Sequence, residues 1–294
     1  MPSLKDLRNR ISSVKSTKKI TSAMKMVAAA KLKRAQDNAE KTRPYANKMG
    51  EIVDSLVLNK GPKEFKFSDR KNTKTKNILL IICSADRGLC GGFNGSIIKF
   101  SKKLTEEKSK EGFKLNYIFV GKKAYNSLKK YCGDSILDFF SDIANPSIKF
   151  ELASSIRDKI LDLFLNKSID ECHLVYTKFK SAISQTVQSL QLLPLVSSEK
   201  SEKTDETGFK NSYDFEPDEE VILNEIIPKN IAIQIHTALL ENLASEQGSR
   251  MTAMDNATRN ANDMIDNLTL FYNRSRQALI TKELIEIISG AEAV

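Results

Sequence analysis

The residues best arranged for chemistry lie in "SADRGLCGGFNGS" (84–96), which follows an apolar run and precedes a helical segment. A glycine-rich turn between strand and helix can hold a phosphate on backbone N–H groups and a helix N-terminus. The spacing is neither GxxxxGK[ST] nor a clean GxGxxG. Asp86 also places a carboxylate where a phosphate would approach, so the stretch is expected to be a tight structural crossover. Cys90 has no nearby histidine to activate it, and the four cysteines (Cys83, Cys90, Cys132, Cys172) form no CxxC pair. They are expected to be reduced thiols in an intracellular compartment. With only two histidines, His173 and His236, neither beside a cysteine pair, no zinc site is expected. His173 is expected at a strand start, and His236 in the last helix, able to hydrogen-bond across a seam. Asp218, Glu219 and Glu220 suit a helix start, where the dipole favours acids. No catalytic constellation emerges, and neither a cofactor nor a metal is expected.

The elements around these residues fall into three regions. Residues 1–58 form an expected helix capped by Ser3. Leu4, Leu7, Ile11 and Val14 keep 3-4-3 spacing. Continuing that count reaches Lys18, Thr21 and Lys25, so the apolar seam is expected to shift to Ile20, Met24 and Val27, a stutter, before resuming at Ala28, Leu32, Ala35 and Ala39. Pro44 is expected to kink the helix.

Residues 76–196 alternate strand and helix. The expected strands are 77–84, 115–121, 135–141, 172–179 and 187–195, with helices at about 95–111, 122–131 and 147–168, the last starting at Asn145-Pro146-Ser147. This pattern predicts an open, mostly parallel sheet covered on both faces. Residues 197–217 are polar and charged, and are expected to be a linker.

The last helix is expected over 218–290, bent or delayed by Pro228 and stopped by Gly290. Its seam is read as Met254, Ala257, Ala261, Met264, Leu268 and Phe271. The expected fold is therefore α+β or α/β: a long antiparallel coiled coil of the N- and C-terminal helices with an inserted Rossmann-like α/β domain of about five strands. At the far end Leu279, Ile280, Leu284, Ile285, Ile287 and Ile288 cover most of the helix circumference. Such a helix must be covered, either by folding back on the α/β domain or by another protein.

The net charge is +9 and unevenly spread. Residues 1–50 hold 13 Lys and Arg against 3 acids, and residues 240–294 hold 5 against 8. Nucleic acid is one reading of so basic a start. No aromatic precedes Tyr45 to stack on bases, and the cations do not form one stripe. An acidic protein partner is the other reading. No stretch approaches a membrane span, and the first ten residues lack the apolar run of a signal peptide.

"KDLRNRISSVKSTKKITSAMKMVAAAKLKRAQ" (5–36), "ADRGLCGGFN" (85–94), "SQTVQSLQLLPL" (184–195), "ENLASEQGSRMTAMDNAT" (241–258) and "FYNRSRQALITKELIEIISGAEAV" (271–294) resemble the F-type ATP synthase gamma subunit in its bacterial form. The resemblance covers nearly the whole chain in order. It implies a non-catalytic, single-copy rotor that binds no nucleotide and no nucleic acid. The shaft would stand in a ring of three alpha and three beta subunits, and the α/β domain would rest with the epsilon subunit on the membrane c-subunit ring. Proton flow would turn it, on the cytoplasmic face of the bacterial inner membrane. The resemblance further implies that Lys18, Lys31 and Lys33 attract acidic loops of beta, and that Gln247 and Arg250 face the neck of the head opposite Met24 and Met26. Arg276, Gln277, Thr281 and Glu283 would be polar contacts near the tip, and Leu284, Ile285 and Ile288 part of the tip turning in an apolar collar.

Overall fold

The computed structural model describes residues 3–60, 77–144, 147–182, 184–195 and 219–292. Helix α1 spans Leu4–Lys60. It is followed by β1 (Asn77–Cys83), α2 (Phe93–Lys110), β2 (Lys114–Val120), α3 (Lys122–Cys132), β3 (Ile136–Phe140), α4 (Phe150–Leu165), β4 (Glu171–Phe179), β5 (Gln185–Leu193) and α5 (Glu219–Glu292). The chain divides into two compact units, residues 31–249 and residues 1–30 with 250–294. The expected linker lies outside the described residues, as do Asn145, Pro146 and Asp218.

In the unit of residues 31–249 the five strands form one sheet in the order β3-β2-β1-β4-β5. The first four are parallel, and β5 runs antiparallel to β4. That reversal follows from the short connection between Phe179 and Gln185, since a parallel return needs a dozen residues or more. Ser181 closes the turn, its Oγ accepting from the Ser184 N–H at 2.9 Å.

Alternation along β1 sorts the core. Leu79, Ile81 and Cys83 pack in one layer with Ala153, Ile156, Ile160 and Phe164 of α4. Ile78, Leu80 and Ile82 pack in the other with Phe93 and Ile97 of α2 and Ala124 and Leu128 of α3. A strand covered on both faces must be apolar on both, which is why "NILLIIC" shows no polar alternation. Helix α5 completes the α4 layer. Its Ile227, Ile231, Ile235, Ala238 and Leu239 recur every three or four residues and are all buried there. The last helix therefore serves as a wall of the α/β core as well as a pairing helix.

Several helix limits differ from those expected. Helix α4 begins at Phe150, after Lys149 in extended conformation (φ −91°, ψ 148°), and ends at Leu165. No side chain caps its start, and Lys167 has already turned left-handed (φ 58°). Helix α5 starts at Glu219 and continues through Pro228, because a proline removes one N–H while the surrounding turns stay packed on the sheet. It also passes Gly290, which does not adopt the left-handed conformation by which a glycine ends a helix. Helix α1 likewise runs through Pro44. At its start Ser3 Oγ accepts from the Asp6 N–H (3.1 Å) and Asp6 Oδ2 accepts from the Ser3 N–H (3.2 Å), a reciprocal cap of the kind expected at Ser3.

Ile231 is fully buried between α5 and the sheet. Ile231→Ala is expected to destabilise the chain by roughly 2–5 kcal/mol in denaturant unfolding. A loss well below 1 kcal/mol would mean that α5 does not wall this core.

Candidate partner-contact surfaces

The first residues of the glycine-rich crossover are tied to the start of α3. Ser84 Oγ donates to the Gly121 carbonyl (3.2 Å) and accepts from the Ala124 N–H (3.0 Å). Asp86 accepts from the Lys122 N–H at 3.1 Å and the Ile143 N–H at 3.3 Å. The Lys123 N–H donates to the Ala85 carbonyl (3.1 Å). The amides at the start of α3 that could hold a phosphate are thus taken by Ser84, Ala85 and Asp86. Gly121 (φ 107°) is pressed so close that a Cβ would sit 2.2 Å from the Ser84 carbonyl oxygen. The cavity beside Asp86, walled partly by Leu239 and Leu243 of α5, measures only about 20 Å³, no more than one water needs.

All four cysteines are buried and free. Burial pushes the thiols up, Cys83 to about 12 and Cys132 to about 11, so the nucleophilic thiolate is suppressed. Cys90 Sγ accepts from Asn94 Nδ2 at 3.0 Å. His173 is half-buried, 3.3 Å from Glu171. His236 packs edge-on against Phe150 with ring centroids 5.5 Å apart, and its buried Nδ1 has no hydrogen-bond partner among the described residues. Burial lowers both imidazole pKa values and favours the neutral rings. Among the described residues no group of three or more His, Cys, Asp or Glu could hold a metal. No described helix is long and apolar enough to cross a membrane.

The unit of residues 1–30 and 250–294 is a pair of antiparallel helices. Arg8 Nη2 donates to Tyr272 Oη (3.0 Å), the Thr21 and Thr258 hydroxyls lie 2.8 Å apart, and Lys25 Nζ meets Asp255 Oδ1 at 2.6 Å. As residue numbers rise along α1, those of the partners fall along α5. The seam does not stutter. Thr21 is buried, Lys18 and Lys25 are half-buried, and the 3-4 spacing from Leu7, Ile11 and Val14 continues unbroken to Ala28. Ile20 and Val27 instead stand 60% and 57% exposed. On α5, Met254 and Ala261 are buried, and Ala257 and Leu268 half-buried, but Met264 and Phe271 are exposed. Ile265 and Tyr272 take their places in the seam. Each discarded residue is an apolar neighbour of the true seam position, or stands beside a polar one. An apolar count alone chose it, and only pairing shows that polar side chains satisfy one another across the seam.

The remaining candidate contacts are split. Met26, Lys31 and Lys33 are exposed, and Met24 and Arg250 half-buried. Gln247 is buried, its Nε2 donating to Glu246 Oε1 at 3.3 Å, so the structure withdraws it from any partner. Every residue from Arg276 to Ala291 is exposed, including Gln277, Thr281 and Glu283. The apolar residues Leu279, Ile280, Leu284, Ile285, Ile287 and Ile288 are 46–68% exposed. Among the described residues nothing covers this apolar helix end. Thr21, Asp255, Thr258, Ile265 and Tyr272 were not singled out as seam contacts, although a heptad count allowed to pass through polar residues would have found the first.

The class so defined is a protein whose α/β domain is inserted between two long terminal helices that pair near the chain ends and leave one apolar helix tip bare. A family model described as ATP synthase matches residues 3–294. The chain is 50% identical to the ATP synthase gamma chain of Pelagibacter ubique and 49% identical to that of Paracoccus denitrificans, with the full length of each protein covered. Its structure is similar to a chain of the Tetrahymena thermophila mitochondrial ATP synthase central stalk and c-ring (TM-score 0.60, 30% identity, 81% of this chain and 99% of that one). A chain of the Euglena gracilis enzyme shares the fold (TM-score 0.68, 19% identity, 99% and 94% covered). The chain belongs to the ATP synthase gamma chain family. The nucleic-acid alternative finds no support in these likenesses.

Lys25, and beyond it Arg259 at 2.9 Å, hold the Asp255 carboxyl below its ordinary 3.8. A folded-state pKa lowered in this way gives a contribution present above the unfolded value and lost as pH falls through the folded one. Amide exchange over residues 18–28, after division by the intrinsic exchange rate at each pH, should therefore speed up on acidification from about pH 3.9 downward. Asp255→Lys should speed it at neutral pH, and the added Lys25→Asp should restore it. If the double variant exchanges like the single, the pair does not hold the seam.

Proposed function

We propose that this chain is the central-stalk rotor subunit of a proton-translocating F-type ATP synthase, coupling rotation of the membrane c-subunit ring to ATP synthesis in a head of three alpha and three beta subunits. The observation that carries this reading is the bare apolar tip, Leu279 to Ile288, on a chain that matches gamma chains from end to end. A solitary soluble protein has no use for such a surface; a shaft end held in a collar does. In this reading the chain performs no bond chemistry and binds no nucleotide. Ser84, Ala85 and Asp86, the crossover's first residues, bind the N–H groups at the start of α3, a structural role.

Its action is mechanical. The helix pair presents different faces to three equivalent partners in turn, and each face biases a distant site toward one of its conformations. Lys18, Lys31 and Lys33, with Arg34, serve as long, adaptable cations that attract acidic loops without locking to one of them. Met24, Met26, Ile20 and Val27 lie on or beside this surface, and the exposure of the last two suits a contact with the head better than a place in the seam. Arg250, Arg276, Gln277, Thr281 and Glu283 would supply polar contacts, and Leu284, Ile285 and Ile288 the apolar bearing. The α/β domain would rest with epsilon on the c-ring, one copy per complex, placing the chain peripherally on the cytoplasmic face of the inner membrane.

The test is mild-detergent extraction of membranes carrying a tagged chain, followed by a native gel stained for ATP hydrolysis. The tag should comigrate with a large ATPase band. Deleting residues 279–294 should either remove the band or leave ATP hydrolysis uncoupled from proton pumping. A tag that runs small and apart from any ATPase would sink the proposal.

A further inference from the structure

Within the unit of residues 31–249 a second cavity, of about 180 Å³, opens where α1, α5 and the end of β4 meet. Glu241 of α5 faces it. Its side chain is 9% exposed, and Oε2 is buried without a hydrogen-bond partner among the described residues. Oε1 reaches only Arg43 Nη2, at 4.0 Å, too far for a hydrogen bond. Glu40 and Arg43 of α1 and Lys180 beyond β4 line the same space, and Phe179 supplies an apolar wall.

A buried carboxylate oxygen with nothing to accept from is costly, and a charge-assisted N–H donor is the group that relieves it. The basic groups of the cavity have no such deficit, because the half-exposed Arg43 can turn its free N–H groups to water. The demand is local to Glu241: Arg43 and Lys180 line the same space, yet neither brings a donor within hydrogen-bond distance of its carboxylate among the described residues. The cavity's volume is about ten times or more the roughly 10–15 Å³ that one water needs. Burial pushes the Glu241 carboxyl upward, opposed by Lys178 and Arg43. A bound cation would offset that desolvation, as an opposite charge favours an ionised acid.

We propose that this cavity is a binding site for an N–H cation, an ammonium or guanidinium group seated on the Glu241 carboxylate against the Phe179 ring, with Glu40 at the rim. The group would come from a small free amine or from a basic side chain of a neighbouring subunit; the recognition chemistry is the same. The site itself stands apart from the rotor reading, since all its residues belong to this chain; only the second source, a neighbour's side chain, rests on that reading.

Methylguanidinium titrated into the purified full-length chain, followed by saturation-transfer NMR, tests it. Tetramethylammonium is the control cation, having charge but no N–H. The wild-type chain should bind methylguanidinium saturably and tetramethylammonium not at all. Glu241→Gln, which keeps the volume but loses the charge, should bind at least tenfold more weakly. Arg43→Gln, which removes the competing cation, should bind as well or better, so the site remains testable should the first variant fail to fold. Absence of wild-type binding, equal response to the two cations, or unchanged affinity in Glu241→Gln would overturn the proposal. Repeating the titration on the membrane-extracted assembly separates the sources: binding retained there identifies a free amine, and binding lost there identifies a neighbour's side chain already in place.

Discussion

The structure of residues 31–249 depends on one constraint: a largely parallel sheet with apolar residues on both faces must be covered on both. Helices α2 and α3 cover one side. On the other, α4 alone does not suffice, and the chain recruits the Ile227–Leu239 segment of α5. The same helix, farther along, pairs with α1 in the unit of residues 1–30 and 250–294. Pro228 is tolerated because its neighbours Ile227 and Ile231 are held in the core. Asn242 and Ser245 extend the attachment to backbone, accepting from the Thr177 N–H and donating to its carbonyl, each at 3.1 Å.

The same economy explains the glycine-rich crossover. A turn at the carboxyl ends of parallel strands is where an α/β sheet usually holds a ligand. Here Ser84 and Asp86 satisfy the backbone themselves, and α5 fills the space beside them. The sheet offers such a position, while the N–H groups beside it are taken by internal bonds. Fold and function separate in this way because function resides in a few side chains rather than in the architecture.

The helix pair shows how polar groups can continue a seam. Thr21, Lys25, Asp255 and Thr258 sit where apolar residues would be expected, and each finds a partner across the interface. This leaves Ile20, Met26 and Val27 outside, beside the basic residues, as a mixed surface open to other chains. The tip is the extreme case: with no partner helix beside it, its isoleucines and leucines remain bare.

Strand positions, the sheet's mostly parallel character, the Ser3 cap, the apolar tip and the family itself were legible in the sequence. Each is written in local periodicity, in composition, or in motifs whose residues are adjacent along the chain. Other features depended on what lies opposite. The seam register at Ile265 and Tyr272, the polar continuation through Thr21 and Lys25, and the burial of Gln247 follow from pairing, which no single-helix count contains. The same holds for the beginning of α4 at Phe150 and the passage of α5 through Pro228, whereas Gly290 stays helical in the exposed tip. Local signals there marked ends or bends, and tertiary packing overrode them at Pro228. The sequence by itself determined which segments are helix, strand and bare apolar end, because those follow from side chains spaced along one element. The tertiary structure decided which face of each helix is buried, because that is set by the complementary face it meets.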